Sequence, residues 1–200
     1  GLTKASLDRI AFTRREPTGI CLAISAFNHP LNLIIHQVIP AVAVGCPVIV
    51  KPADTTPLSC FKFLDLLYEA GLPRGYAQGV LCEIPLAEKM VRDSRVEFFS
   101  FIGSAKVGWH LRSCLAPGVR CALEHGGAAP VILDESCDLD ITIPSLIKGG
   151  FYHAGQVCVS VQRVFVPSSI SKEVLTRLET GTKKLVVGDP LKQETQVGPL

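Results

Sequence analysis

Two residues of the chain are of types that could do chemistry, a cysteine as a nucleophile and a glutamate as a general base. Cys158 lies in Gly155–Cys158, directly after an apolar stretch with helical periodicity, and Glu124 ends the apolar run Cys121–Leu123. A cysteine near a helix terminus can be an accessible nucleophile, and a carboxylate at a strand end suits a general base. The chain has eight cysteines. Residue type alone therefore favours a structural thiol at position 158, and a surface glutamate at position 124.

Asn28 is a third polar candidate, in the segment Ala26–Pro30. An asparagine ahead of a helix commonly caps it, and on its own this interpretation is preferred. The side-chain amide could instead donate a hydrogen bond to an oxyanion during acyl transfer. The neighbour of Glu124, His125, is assigned no catalytic role.

Two further segments have features of a nucleotide site. In Phe101–Gly108, Gly103 allows a ligand to approach the backbone, and Ser104 begins a predicted helix whose first N–H groups are free. Lys51 and Asp54 follow a short apolar strand, and ligands of open α/β sheets bind beyond the carboxyl ends of strands. No Gly-x-Gly-x-x-Gly motif is present. Each feature alone also fits an ordinary turn or a solvated strand end.

The composition is that of a folded domain with a packed core. The 200 residues are 48% hydrophobic and 19% charged, with a net charge of +2. Both signs of charge are interspersed without a Lys/Arg cluster, and the longest apolar runs are too short to cross a bilayer. We therefore expect neither a nucleic-acid nor a membrane partner.

The cysteines and the chain ends suggest a reducing setting and a longer parent protein. The eight cysteines are irregularly spaced without a Cys-x-x-Cys pair, which indicates reduced thiols and argues against a zinc site, so no metal is predicted. No signal-peptide pattern is present, and we expect a cytoplasmic protein. The chain lacks an initiator Met and stops just after a turn-like Gly-Asp-Pro, so we expect an internal segment.

Alternating strands and helices must position these residues. The pattern predicts the α/β class, with a Rossmann-like, mainly parallel sheet and flanking helices. The predicted strands of the first part are Gly19–Ser25, Pro47–Lys51, Ala77–Cys82, Val96–Phe101 and Arg120–Glu124, and its helices are Asn32–Val44, Leu58–Ala70, Leu86–Asp93 and Ser104–Leu115. We expect Pro40 to kink or shorten the first helix and Gly71 to end the second.

The pattern restarts after Gly126-Gly127. Strands are predicted at Val131–Leu133 and Arg163–Val166, and helices at Leu139–Ala154 and Lys172–Val186. We therefore divide the chain into a partial nucleotide-binding domain, residues 1–126, and the first part of a truncated α/β catalytic domain, residues 127–200.

The order and spacing of these segments resemble the aldehyde dehydrogenase superfamily along essentially the whole chain. Ala26–Pro30 is similar to its Pro-Trp-Asn-Phe-Pro type segment, Val50–Asp54 to Val-Lys-Pro-Ser-Glu, Leu123–Gly127 to Leu-Glu-Leu-Gly-Gly and Gly155–Cys158 to Gly-Gln-x-Cys. Further matching segments are Arg15–Ile20, Gly71–Gly75 and Phe101–Ser104. Seven motifs in family order are poorly explained by chance.

The resemblance implies a covalent mechanism of aldehyde oxidation. Cys158 would attack the aldehyde carbon, and the Asn28 amide and the Cys158 backbone N–H would hold the oxyanion. Hydride transfer to a nicotinamide would leave a thioester, and Glu124 would activate the water that releases the carboxylic acid.

The resemblance also implies the cofactor and its contacts. Lys51 and Asp54 would bind the adenine ribose, and Gly103 and Ser104 the pyrophosphate. Ser25 and Phe27 would complete the cofactor-binding residues. A carboxylate at position 54 disfavours a 2′-phosphate by charge repulsion, so NAD is expected over NADP, although NADP is not excluded.

The sequence departs from the family pattern at three positions. Ile102 stands where the family commonly has Thr, His125 replaces an apolar residue, and Cys82 falls where a Gly often approaches the cofactor. None of these removes a catalytic group. The segment Cys158–Arg163 resembles the branch that oxidises small polar or phosphorylated aldehydes, such as lactaldehyde and glyceraldehyde 3-phosphate.

Several alternatives stay open at this point. The family's chains are more than twice as long, so these residues alone could be a non-catalytic nucleotide-binding fragment with exposed apolar surface. A CoA-acylating relative is a second alternative, which Glu124 argues against because that chemistry needs no hydrolytic base. A thiol-redox or metal protein is a distant alternative. The resemblance implies a small-molecule aldehyde substrate and a homo-oligomer at full length.

Overall fold

The computed structural model describes residues 3–7 and 9–199. The chain divides into two compact units. The first comprises the residues up to Phe101 together with His110–Ala122, and the second comprises Ile102–Trp109 together with the residues from Leu123 onward.

A five-stranded sheet organises the first part of the chain. Its strands are β1 (Ile20–Ile24), β2 (Val48–Lys51), β3 (Ala77–Gly79), β4 (Val96–Gly103) and β5 (Arg120–His125), in the order β3-β2-β1-β4-β5. Strand β1 pairs in parallel with β2 and β4, and β2 pairs in parallel with β3. The chain reverses direction across the sheet between β1 and β4, and open α/β sheets bind ligands at such a switch point. The predicted α/β class with a mainly parallel sheet is confirmed.

Helices connect the strands as the alternating pattern predicts. They are α1 (Asn32–Ala43), α2 (Leu58–Glu69), α3 (Ile84–Val91), α4 (Ala105–Cys114), α5 (Leu139–Phe151) and α6 (Ser171–Thr182), with short 3-10 turns at Lys4–Ser6 and Tyr152–Gly155. Gly71 follows α2 with a φ of +98°, as expected for a residue that ends a helix in the left-handed region. None of the helices in the described part of the chain has the length and apolar character that crossing a bilayer requires.

The helix α1 does not end early at Pro40. It continues through the proline to Ala43, with Ile34 and Val38 buried in the core. A proline this close to the helix end removes one backbone hydrogen bond, and burial of the apolar face offsets that loss.

The core of the first unit lies along the central strands. Val48 and Val50 of β2 are buried with Cys21 and Ala23 of β1, and α1 and α2 cover them with further apolar side chains. Gln37 of α1 is also buried, and its Nε2 donates to the carbonyl oxygens of Ile24 (3.3 Å) and Ser100 (3.2 Å). This amide therefore ties α1 to the carboxyl halves of β1 and β4.

The second unit is built on two parallel strands, β6 (Ala129–Ile132) and β7 (Val161–Phe165). Helices α5 and α6 contribute Ile143, Leu146 and Val174 to a small core with Leu133. Ala129 at the start of β6 is the register partner of Val161 at the start of β7, so the residues that precede the two strands lie close together.

Three predicted elements are too long. Strand β3 ends at Gly79 rather than Cys82, and α5 ends at Phe151 rather than Ala154, because the chain turns into the left-handed region at His153. Helix α6 ends at Thr182 rather than Val186. The carbonyl of Val186 accepts hydrogen bonds from the N–H groups of Gln196 and Val197. Val186 therefore pairs with a later segment of the chain instead of continuing α6.

Candidate functional site

The carboxyl ends of β1 and β2 lie side by side in the first unit. Ile24 is the register partner of Lys51, and the N–H of Ser25 donates to the Lys51 carbonyl at 3.0 Å. Parallel pairing thus brings Ser25 and Lys51, which are 26 positions apart in the chain, to one edge of the sheet.

Lys51 is buried, and hydrogen bonds to two oxygen atoms hold its ammonium group in place. Nζ donates to Asp54 Oδ1 at 2.7 Å and to the Pro52 carbonyl at 3.2 Å. The Asp54 side chain is 61% exposed. The pair therefore presents a carboxylate to solvent beside a fixed positive charge, which is suited to hydrogen bonding with sugar hydroxyls.

The loops after β1 and β2 are joined by a second contact. The Thr56 hydroxyl donates to the Phe27 carbonyl at 3.4 Å, and the Phe27 ring is half exposed. The Ser25 hydroxyl oxygen is buried at this edge and has no hydrogen-bond partner among the described residues. A buried polar atom without a partner is costly, so this oxygen is a position where a bound polar ligand would lower the free energy.

Asn28 lies in the same loop but is not the N-cap of α1. The helix begins at Asn32, and the N-cap position is held by Leu31, without a side-chain cap hydrogen bond. The capping interpretation that was preferred for Asn28 from the sequence is therefore wrong. The oxyanion role stays a prediction.

In the second unit, Ser104 caps the start of α4. Its hydroxyl oxygen accepts from the Val107 N–H at 3.4 Å, as predicted for a helix N-cap. The Gly103 carbonyl accepts from the Gly126 N–H at 3.2 Å. The Gly103–Ser104 turn thus lies beside the segment that follows Glu124.

Cys158 is exposed in a short loop between the 3-10 turn and β7. The loop closes by a hydrogen bond from the Ser160 N–H to the Val157 carbonyl at 2.9 Å. Ser160 is buried, and its hydroxyl donates to the carbonyls of Gly150 (3.3 Å) and Gly149 (3.4 Å) at the end of α5. Two positions after Cys158, the chain is therefore fixed to the helix before it.

Gly127 and Cys158 are in direct backbone contact. A Cβ at Gly127 would lie 2.6 Å from the Cys158 carbonyl oxygen, so only glycine fits there. Two further contacts hold the segments together: the Gln162 amide donates to the Gly127 carbonyl at 3.1 Å, and Ala129 N–H donates to the Ser160 carbonyl at 3.3 Å.

The loop before Cys158 begins with strained backbone. His153 and Ala154 have φ values of 51° and 55°, and Gly155 follows at 76°. Non-glycine residues in this region cost about 1–2 kcal/mol each. The sequence does not predict this strain, because alanine rarely adopts the left-handed region and histidine does so only in a minority of cases.

Several predicted site residues come together within each unit. In the first unit these are Ser25, Phe27, Lys51 and Asp54, at the ends of β1 and β2. In the second unit they are Gly103, Ser104, Glu124 and Cys158, on segments joined by the contacts of Gly126 and Gly127. The Glu124 side chain is exposed, and it lies one residue before the end of β5, a strand in which exposed and partly buried residues alternate. The contact of Gly127 with Cys158 and the anchoring role of Ser160 were not predicted from the sequence, although Gly127 belongs to the Leu123–Gly127 motif.

Comparison with known proteins places the whole chain in one family. Residues 2–200 match the model of the aldehyde dehydrogenase family. A 3-sulfolactaldehyde dehydrogenase of Priestia aryabhattai is 38% identical over 197 residues, which are 98% of this chain and 41% of the relative. A betaine aldehyde dehydrogenase of Cereibacter sphaeroides is 38% identical over 190 residues, 94% of this chain and 39% of the relative.

Solved structures give the same result. An aldehyde dehydrogenase of Mycobacterium tuberculosis in complex with NAD+ superposes with a TM-score of 0.90 at 34% identity, over 93% of this chain and 39% of that one. A succinate-semialdehyde dehydrogenase of Burkholderia pseudomallei superposes with a TM-score of 0.89 at 35% identity, over 92% and 39% of the two chains. The chain thus spans about two fifths of the length of these relatives.

Proposed function

The chain belongs to the aldehyde dehydrogenase family, and from this we propose that the whole protein oxidises an aldehyde to a carboxylic acid with a nicotinamide cofactor, NAD+ being preferred. The observation that carries the proposal is the contact between Gly127 and Cys158. It joins the backbone of the segment that contains Cys158 to the backbone of the segment that follows Glu124, which supports the proposal that the two side chains act together.

Cys158 is proposed as the nucleophile because it is the exposed member of the eight cysteines. Its sulfur would bond to the aldehyde carbon, and the carbonyl oxygen would become an oxyanion. The backbone N–H of Cys158 is one donor to that oxygen, and the Asn28 amide is assigned as the second on its motif alone.

Glu124 is proposed as the base of the second half of the reaction. A nicotinamide cofactor supplies the hydride acceptor when bound. With the acyl group on the Cys158 sulfur as a thioester, Glu124 would take a proton from water as that water attacks the acyl carbon. The C–S bond then breaks, the thiolate leaves, and the carboxylic acid is released.

The edge of the first unit fits a nucleotide. The Ser25 hydroxyl is buried without a partner among the described residues, and the Lys51–Asp54 pair offers a donor and an acceptor at the neighbouring strand end. We propose that these residues and Phe27 hold the adenosine half of the cofactor, and that Gly103 and Ser104 lie at its pyrophosphate. The Asp54 carboxylate would repel a 2′-phosphate, which supports NAD+ over NADP+.

For the substrate we propose a small polar or anionic aldehyde. The sequence after Cys158 resembles the branch that acts on such aldehydes, and one similar protein is named for 3-sulfolactaldehyde. We further propose a homo-oligomer at full length. All eight cysteines are free, which favours a reducing compartment such as the cytoplasm.

The test is a kinetic comparison on the full-length protein. Wild type is assayed for NADH formation with a panel of small aldehydes, each with NAD+ and with NADP+. Cys158→Ala is expected to lose at least about 1000-fold in kcat, because the covalent step has no other nucleophile. Cys137→Ala, a partly exposed cysteine before α5, is the matched control and is expected to keep wild-type turnover.

The product distinguishes hydrolysis from acyl transfer. Glu124→Gln is expected to form the thioester and release acid slowly, so a burst of about one NADH per active site precedes a slow steady state. Retained activity in Cys158→Ala would refute the mechanism. Formation of acyl-CoA in the presence of CoA, at the expense of free acid, would instead assign the protein to the CoA-acylating type.

A further inference from the structure

A cluster of three metal-ligating side chains lies in the first unit, apart from every residue assigned above. Glu88 of α3 meets His110 and Cys114 of α4, and one donor atom from each lies within 4.8 Å of the other two. His110 and Cys114 are four residues apart on one helix, so they project from the same face. In the sequence, the His-x-x-x-Cys spacing of His110 and Cys114 is the signal for this cluster.

We propose that Glu88, His110 and Cys114 form a binding site for Zn²⁺ or a divalent cation with similar ligand preferences, with water as the fourth ligand. The donor set of one nitrogen, one sulfur and one carboxylate oxygen is the set that Zn²⁺ takes in proteins. The bound ion would connect α3 to α4.

The distances between the donor atoms suit tetrahedral coordination. Glu88 Oε2 is 2.9 Å from His110 Nε2, Cys114 Sγ is 3.9 Å from the same nitrogen, and Cys114 Sγ is 3.8 Å from Glu88 Oε1. Ligands at the usual zinc bond lengths of about 2.0–2.3 Å form tetrahedral edges of about 3.3–3.6 Å. The three donor atoms lie within 4.8 Å of one another, so side-chain shifts of about 1 Å bring them to these separations.

Arg92 contacts two of the three proposed ligands. Its Nη2 donates to Glu88 Oε1 at 2.5 Å and lies 3.0 Å from Cys114 Sγ. The carboxylate can therefore keep Oε1 on the guanidinium and give Oε2, which faces His110, to the ion. A charged donor next to the sulfur also stabilises the thiolate that zinc requires. Binding releases the thiol proton to solvent, and no electron is transferred.

The site is open on one side. The His110 side chain is 57% exposed and that of Glu88 27% exposed, whereas Cys114 is buried. The ion can therefore enter from solvent and keep a water molecule, while the sulfur anchors it to the packed side of α4.

The proposal is tested by titrating full-length protein with Zn²⁺ against a chromophoric chelator. The Cys158→Ala variant is used throughout, because a free exposed thiol would bind zinc by itself. One equivalent of Zn²⁺ is expected, and Co²⁺ in its place should give the near-ultraviolet absorption of a cobalt–thiolate bond. His110→Ala and Glu88→Gln should each weaken binding at least about tenfold, and Cys114→Ala should remove the cobalt–thiolate band.

Matched controls separate this site from other ligands. His36→Ala, an exposed histidine on α1, and Cys137→Ala should leave both readouts unchanged. Since His110 and Glu88 are partly exposed, their variants are expected to fold, which circular dichroism checks. Binding that is unchanged in His110→Ala and Glu88→Gln would overturn the proposal. So would a dissociation constant weaker than about 100 μM, because the cluster would then be an ion-pair network around Arg92.

Discussion

Gly127 packs directly on the carbonyl group of Cys158, with 2.6 Å between that oxygen and the position a Cβ would take. The contact joins two segments that are 31 positions apart and that contain the proposed base and nucleophile. It also provides a test of how closely the two groups must be held.

Gly127→Ala should lower kcat by about 10–100-fold, because the added methyl group must push the Cys158 loop away from the Glu124 segment. Gly126→Ala is the matched control, since a Cβ at Gly126 has no neighbour within 4 Å and the alanine keeps the N–H that bonds to Gly103. Steady-state kinetics on both variants provide the measurement. Equal activity of the two variants would show that this contact does not position the nucleophile.

Asp54 should determine the choice between the two nicotinamide cofactors. Asp54→Ala removes the carboxylate that would face a 2′-phosphate and leaves Lys51 without its 2.7 Å partner. The ratio of kcat/KM for NADP+ to that for NAD+ should rise at least about tenfold, which corresponds to ~1.4 kcal/mol. The control Asp65→Asn removes an exposed carboxylate from α2 and should leave the ratio unchanged. A ratio that stays constant in Asp54→Ala would place the 2′-position elsewhere.

Cys158 should react first with thiol reagents. It is exposed, whereas Cys21, Cys46, Cys60 and Cys114 are buried. With one equivalent of iodoacetamide, peptide mass spectrometry should find most of the label on Cys158 and inactivation in proportion to it. Cys82, Cys121 and Cys137 are intermediate and should follow only with excess reagent. Label mainly on one of these three would contradict the assignment of the nucleophile.

Stability should fall in alkaline solution through the buried thiols. Burial raises the pKa of Cys60 to about 11 and, with a smaller contribution from Cys46, that of Cys21 to about 11, from an ordinary value of 9.0. In the unfolded chain these thiols ionise near pH 9, and in the folded chain they stay protonated. Their contribution is therefore complete below pH 9 and is lost as the pH rises through about 11.

Chemical unfolding between pH 8 and 11 measures this loss. Cys60→Ala should show a shallower decline of the unfolding midpoint with pH than wild type, because one titrating group is gone. Val91→Ala is the control: it removes a fully buried, non-titrating side chain and should lower the midpoint without changing the slope. Identical slopes for wild type and Cys60→Ala would refute the role of that thiol.

The parts of the fold that follow from periodicity were predictable. Each predicted strand is present, and the bounds of β1 and β2 were predicted nearly correctly, so the positions of Ser25 and Lys51 at strand ends were predictable. Ser104 could be predicted as an N-cap because the capping chemistry is local. The expectation that Pro40 would shorten α1 was wrong, because tertiary contacts determine where this helix ends. Burial of Ile34 and Val38 stabilises the helix through the proline.

The arrangement of the candidate site was predictable only in part. The motifs identified Glu124 and Cys158, but the contact that joins their segments depends on the pairing of β6 with β7, which no local pattern contains. The left-handed backbone at His153 and Ala154 was also not predicted, because non-glycine residues adopt it in only a few per cent of cases. The sequence shows the His-x-x-x-Cys spacing of His110 and Cys114, but the approach of Glu88 to them depends on the packing of α3 against α4.

The hydroxyl of Ser160 accounts for two carbonyl groups in the last turn of α5, a place where helices have no amide donors of their own. The Ser160 side chain therefore caps the end of α5 and also anchors the loop that contains Cys158. A sequence change that lengthened or shortened α5 would relocate those carbonyls and move the sulfur with them. The length of α5 and the position of the Cys158 sulfur are therefore coupled through Ser160.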